Sequence, residues 1–79
     1  MKASIRSSDS IRPKRNALQF AVLAAILRAG TITDGELERL PEFAKYAPST
    51  IRKRRSELYQ LGDVVKRGTD GRMTLWSVA

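Results

Sequence analysis

The sequence has 79 residues, which suits one small domain and leaves little room for a deep catalytic cleft. It carries 15 Lys and Arg against 8 Asp and Glu, a net charge of +7 at pH 7 that favours a polyanionic partner: DNA, RNA or an anionic membrane surface. Cys and His are both absent, which excludes disulfides and argues against a zinc site or a histidine-based catalytic triad. We therefore expect a protein that is not an enzyme and has no cofactor, metal or small-molecule substrate.

The beginning of the sequence differs in composition from the rest. Residues 1–12 are Ser-rich and basic with few apolar side chains, which predicts a flexible N-terminal arm ahead of a folded domain over residues 13–79. The opening residues lack the apolar core of a signal peptide, and the longest apolar stretch, residues 17–27, is too short to span a bilayer. The default expectation is a cytoplasmic protein with no membrane contact.

The first helix is predicted over residues 14–29, with Pro13 in its first turn and Gly30 as its stop. One apolar stripe at helical spacing comprises Leu18, Val22, Ala25 and Ala29. A second stripe comprises Phe20, Leu23 and Leu27. Two stripes indicate burial on two sides, which makes the second stripe a candidate homodimer surface. The alternatives are that the N-terminal arm covers it, or that Trp76 and the C-terminal hairpin do.

The second helix has a clear start signal. Thr33 is placed to cap the helix and Glu36 to reach back to it, which is the pattern of a capping box. Ile32 before the cap would pack on Leu37. Pro41 should stop this helix after about two turns.

A connector at residues 41–47 follows, and the spacing of Phe43 and Tyr46 indicates that they anchor it on the core. The third helix is predicted over residues 48–61, because a proline opens this stretch and Gly62 follows it.

The C-terminal part has the pattern of a β-hairpin. Strands are predicted at residues 64–67 and 72–78, around a turn at 68–71 that contains the hairpin-favouring Asp-Gly pair. Residues 31–32 are candidates for one short extended pairing with this hairpin, and Trp76 is expected to anchor it in the core. The predicted fold class is α+β, mostly α: a three-helix core followed by a β-hairpin.

The third helix has two different sides. Ile51, Leu58 and Leu61 point one way, towards the core. The opposite side carries Ser49, Arg52, Lys53, Ser56 and Gln60. Long cations and small hydroxyls suit a DNA major groove, where they reach base edges and phosphates. The alternative is a charge run on a merely solvated face.

Individual contacts follow from this placement. Base edges are expected for Ser49, Arg52, Lys53 and Ser56. Phosphate contacts are expected for Thr50, Arg54 and Gln60. Arg55 lies where a third apolar residue would be expected; it would extend along the core edge, or pair with Glu57 or an acid of the second helix.

The hairpin adds further cations. Lys66, Arg67 and Arg72 bracket its turn and would straddle a phosphate backbone or enter a minor groove. The alternative is an ordinary surface hairpin whose charges keep its edges soluble.

Four segments carry a resemblance to a known family: residues 48–52 (PSTIR), 55–58 (RSEL), 61–65 (LGDVV) and 75–76 (LW). Over about residues 14–78 the sequence resembles the winged helix-turn-helix superfamily, and it is similar to small winged-helix proteins encoded by bacteriophages and prophages. The resemblance implies that helix 48–61 is a recognition helix and that residues 64–78 form the wing. The sequence departs from the family at Arg55, usually aliphatic there, and in the length of the 41–47 connector.

The leading hypothesis is a double-stranded-DNA-binding protein, either a transcriptional regulator or an architectural accessory factor of phage origin, which binds a two-fold site as a dimer through helix 14–29. The main alternative is a winged-helix protein-interaction module, such as a phage factor that inhibits a host protein. An RNA-binding role is weaker, because the aromatic residues form no obvious platform for base stacking.

Overall fold

A computed structural model describes residues 15–79. In chain order the elements are α1 (Ala17–Ala29), α2 (Asp34–Glu38), a 3-10 turn (Pro41–Phe43), α3 (Pro48–Gln60), β1 (Val64–Asp70) and β2 (Met73–Val78). The predicted class, helices followed by an antiparallel hairpin, is confirmed. The predicted arm at residues 1–12 and the predicted role of Pro13 lie outside the described residues.

Helix α1 begins at Ala17, so the start predicted at residue 14 is wrong. Asn16 is extended and caps the helix: its side-chain oxygen accepts the Gln19 N–H at 2.7 Å. The Gln19 side chain in turn accepts the Asn16 N–H at 2.9 Å. This reciprocal capping box pairs two N–H groups at the helix start that have no partner inside the helix, and the sequence prediction overlooked its Asn-x-x-Gln pattern.

The capping box predicted for α2 is confirmed. The Glu36 N–H donates to Thr33 Oγ1 at 3.2 Å, and the Thr33 N–H donates to Glu36 Oε1 at 3.1 Å. After α2, Pro41 opens a 3-10 turn within the predicted connector. Phe43 is 2% exposed and Tyr46 is partly buried against the core, so the predicted anchoring of the connector is also confirmed.

The hairpin loop differs from the prediction. It consists of Gly71 and Arg72, not residues 68–71, and β1 continues to Asp70, which pairs with Met73. Gly71 has φ +62° whereas Arg72 does not have a positive φ, as in a type II′ turn. A type I′ turn, the other common two-residue hairpin loop, would need positive φ at both loop residues.

A bulge makes this longer strand possible. Lys66 pairs with Trp76 but Gly68 pairs with Leu75, so Arg67 is an extra residue in β1. Because the bulge absorbs one residue, the remaining part of β1 stays in register with β2 up to the loop.

The core lies between the helices and the base of the hairpin. Its buried residues are Val22, Ala25, Ile26, Ile32, Leu37, Phe43, Ile51, Leu58, Val64 and Trp76. Ile32 also pairs with Trp76 as predicted, through backbone hydrogen bonds of 3.0 and 2.8 Å. This bridge attaches the hairpin to the segment before α2, and Trp76 is the core anchor that the sequence predicted.

The second apolar stripe of α1 remains largely uncovered. Leu23 packs partly against the core, but Phe20 is 56% exposed and Leu27 is 66% exposed. The alternative that Trp76 and the hairpin cover this stripe is therefore wrong, because Trp76 is inside the core. Across residues 15–79, no helix is both long enough and apolar enough to cross a membrane.

Candidate nucleic-acid interface

One side of α3 is largely exposed to solvent, while the other side packs into the core. Ile51 and Leu58 are each 0% exposed. On the opposite side lie five of the predicted contact residues, of which Ser56 is partly buried and the others are exposed: Ser49, Arg52, Lys53, Ser56 and Gln60. We call these five side chains the α3 outer face. The structure thus brings together the set that helical spacing predicted.

Arg52 is oriented by a residue of α2. Its Nε and Nη2 both lie 2.9 Å from Glu38 Oε2. The Glu38 side chain is 10% exposed, whereas that of Arg52 is 57% exposed. Sequence reasoning missed Glu38, because no periodic pattern links two residues on different helices; only the packing of α2 against α3 brings them together.

Lys53 is different. Within residues 15–79 no carboxylate lies within ion-pair distance of its ammonium group. It is exposed on the α3 outer face, so its charge is available to an anion approaching that face.

Arg54 pairs with an acid of its own helix, which in turn contacts α1. Its side chain is 19% exposed, and its Nε and Nη2 contact the Glu57 carboxylate at 2.9 and 3.0 Å. Glu57 also accepts a 2.8 Å hydrogen bond from Gln19 of α1. Arg54 is therefore one part of a polar link between two helices. Thr50, the other predicted phosphate contact near this side, is partly buried.

Arg55 pairs with an acid of α2, one of the alternatives that the sequence left open. Its Nε and Nη2 donate to the two carboxylate oxygens of Asp34 at 2.8 and 2.7 Å. Its guanidinium carbon lies 3.9 Å from the centroid of the Trp76 ring. Bidentate pairing and stacking both suit a planar guanidinium. Arg55 thereby connects α2, α3 and β2.

The hairpin cations are all exposed, as predicted. Arg72 lies in the loop, at the tip of the hairpin. Arg67, the bulge residue, donates from Nε to Ser77 Oγ at 2.8 Å. Lys66 lies near the hairpin base, with its Nζ 5.6 Å from the Tyr59 ring of α3. The cations therefore follow the hairpin from α3 to the tip.

The arrangement of helices and hairpin is shared with solved structures. A cysteine-to-serine mutant of MarR from E. coli matches with a TM-score of 0.70 and 25% identity, covering 84% of this chain and 48% of that one. The chain has a winged helix-turn-helix fold. In this fold the β1–β2 hairpin is the wing.

Two further MarR structures match the winged-helix domain. The reduced form of E. coli MarR has a TM-score of 0.69 and 25% identity, with 82% of this chain and 47% of that chain covered. The mutant complexed with operator DNA has a TM-score of 0.69 and 25% identity, with 84% and 46% covered. The chain thus spans about half the length of the MarR chains that it matches. The sequence matches no protein-family model and no curated protein.

Proposed function

We propose that this winged-helix domain binds double-stranded DNA, with α3 in the major groove and the wing against the neighbouring phosphate backbone. The observation that carries the proposal is the α3 outer face, where Arg52 and Lys53 share an exposed surface with hydroxyl and amide groups. The MarR structure with operator DNA supports it, because a protein of the same fold binds DNA there.

The proposed contacts follow from the geometry. Base edges would be reached by Ser49, Arg52, Lys53 and Ser56, which lie in the N-terminal two-thirds of α3. Thr50 and Gln60 would contact phosphates, and Arg54 would do so from a side chain that is only 19% exposed and already paired with Glu57. Lys66, Arg67 and Arg72 would follow the backbone or enter the minor groove.

The role that fits these contacts is that of a transcriptional regulator or an accessory factor, without enzymatic activity. Origin in a phage rests on the sequence resemblance alone. The competing role is a protein-interaction module in which α3 meets an acidic protein surface. The two differ in partner: a DNA binder releases condensed counterions from the duplex, so its affinity falls steeply as salt rises.

Lys53→Ala should weaken duplex binding by about tenfold and reduce the slope of log K against log salt by about one. The reason is that Lys53 lies exposed on the α3 outer face and has no ion-pair partner within residues 15–79. Fluorescence anisotropy with a labelled duplex across a salt series measures both quantities. Lys45→Ala is the matched control, because Lys45 is equally an exposed lysine but lies on the connector beside Tyr46. Equal effects of the two substitutions on duplex binding would refute the assignment of α3 as the recognition helix.

The wild-type protein provides the test of the function itself. Selection of bound sequences from a random duplex pool should enrich one motif. Weak, salt-insensitive binding with no enriched motif would reject the DNA-binding proposal in favour of the protein-interaction role.

A homodimer through helix 14–29 stays a prediction, supported by the exposure of Phe20 and Leu27 on α1. Sedimentation equilibrium should give the molar mass of a dimer, and Phe20→Ser with Leu27→Ser should give that of a monomer without loss of helical circular dichroism. A two-fold symmetric DNA motif would accompany the dimer. An unchanged molar mass in the double variant would exclude this surface.

A further inference from the structure

We propose that Glu38 is a specificity-determining residue: it holds Arg52 in the orientation that reads a guanine in the major groove. This inference rests on the proposed DNA-binding function and names the base that one residue recognises. The two side chains of this ion pair differ in exposure: the Glu38 carboxylate is nearly buried, whereas the Arg52 guanidinium that it binds is mostly exposed.

The two contacts occupy only one edge of the guanidinium. Both Nε and Nη2 of Arg52 lie 2.9 Å from the same oxygen, Glu38 Oε2. A guanidinium has five N–H donors in a planar fork, so its far end, formed by Nη1 and the second N–H of Nη2, has no hydrogen-bond partner among residues 15–79. Two parallel donors of this kind match the O6 and N7 acceptors that guanine presents in the major groove.

Burial of Glu38 keeps the pair together when DNA approaches. If Arg52 broke its ion pair to bind a phosphate, the Glu38 carboxylate, at 10% exposure, would lose its partner. A nearly buried carboxylate without a partner is unfavourable in free energy. Arg52 therefore contacts DNA while still bound to Glu38. Because its rotamers are already restricted, less conformational entropy is lost when it binds a base.

Lys53 shows the contrast on the same helix. It is a flexible point charge without an ion-pair partner in residues 15–79, so it attracts phosphates or bases without a fixed direction. Glu38, in turn, adds a negative charge close to the DNA and must lower general affinity. A carboxylate at this position is therefore useful for discrimination between sequences, not for strength of binding.

The experiment uses the full chain and the motif selected by the wild-type protein. Dissociation constants are measured for duplexes that carry each of the four base pairs at every motif position. Glu38→Ala should reduce the preference for guanine at one position by about tenfold, while binding to random duplex becomes tighter. Arg52→Lys should also reduce the preference for guanine at that position, because an ammonium group keeps the charge but lacks the two parallel donors of a guanidinium.

Glu42→Ala is the matched control. Glu42 is another glutamate, exposed on the connector and paired with Arg28, so its loss changes the net charge equally but leaves Arg52 in place. It should tighten binding to random duplex and keep the guanine preference. Glu38→Gln, which retains the side-chain volume, together with circular dichroism of every variant, separates a loss of selectivity from a loss of fold.

The outcomes are distinct. A guanine preference that Glu38→Ala and Arg52→Lys reduce at one shared position, and that Glu42→Ala leaves intact, supports the inference. Selective wild-type binding with that preference unchanged in Glu38→Ala, or a shared position that is not guanine, overturns the inference alone. Failure of the wild-type protein to bind duplex DNA overturns the proposed function first and the inference with it.

Discussion

Phe43→Ala should lower the free energy of unfolding by about 3–4 kcal/mol, the usual cost of removing a buried phenyl ring and leaving a cavity. Phe43 is 2% exposed and ends the 3-10 turn that connects α2 to α3. A domain of 79 residues has a total stability of roughly 4–12 kcal/mol, so this substitution removes a large fraction of it. Urea denaturation followed by circular dichroism measures the change.

Phe20→Ala is the control for that prediction, because the chain contains a second phenylalanine in the opposite environment. Phe20 is 56% exposed on α1, and its loss should cost less than about 1 kcal/mol in the monomer. Denaturation at a concentration where the protein is monomeric keeps any dimer contact out of the comparison. Similar costs for the two substitutions would mean that the connector is not anchored in the core.

Arg55→Ala should destabilise the domain by about 2–4 kcal/mol, because it leaves the Asp34 carboxylate partly buried without a partner. The Arg55 side chain is 11% exposed and that of Asp34 is 16% exposed, so water compensates little for the lost pair. The stacking on Trp76 is lost as well. Thermal and urea unfolding of the variant measure the cost.

A double-mutant cycle isolates the ion pair from the other roles of the two residues. Asp34 also lies in the first turn of α2, where its charge favours the helix N-terminus, and Arg55 also packs on Trp76. The cycle with Asp34→Ala should give a coupling energy of about 1–3 kcal/mol. If the losses of unfolding free energy in the two single variants simply add up in the double variant, the ion pair itself contributes nothing to stability.

Local sequence patterns predicted much of the fold. The Thr33–Glu36 capping box, the glycine after α1 and the proline that opens α3 act through neighbouring backbone groups, so their effect is visible in a short window of sequence. The spacing of Ile51 and Leu58 likewise identified the buried side of α3, and with it the α3 outer face.

Two local predictions failed where one signal competed with another. The Asp-Gly pair predicted the wrong loop, because the bulge at Arg67 shifts the register of β1 by one residue. The start of α1 was predicted too early, because the proline at position 13 was taken as the start signal and the Asn16–Gln19 capping box was overlooked. In both cases the relevant interaction was still within a few residues.

By itself the sequence determined the order of the elements, the buried side of α3 and the cationic character of that helix, because all three depend on residues close together in the chain. Only the tertiary structure decided which carboxylates Arg52 and Arg55 meet. Arg52 pairs with Glu38 across 14 positions and Arg55 with Asp34 across 21. These residues, distant in sequence, come together because apolar side chains pack α2 against α3. The pattern of charges along a single helix does not predict that contact.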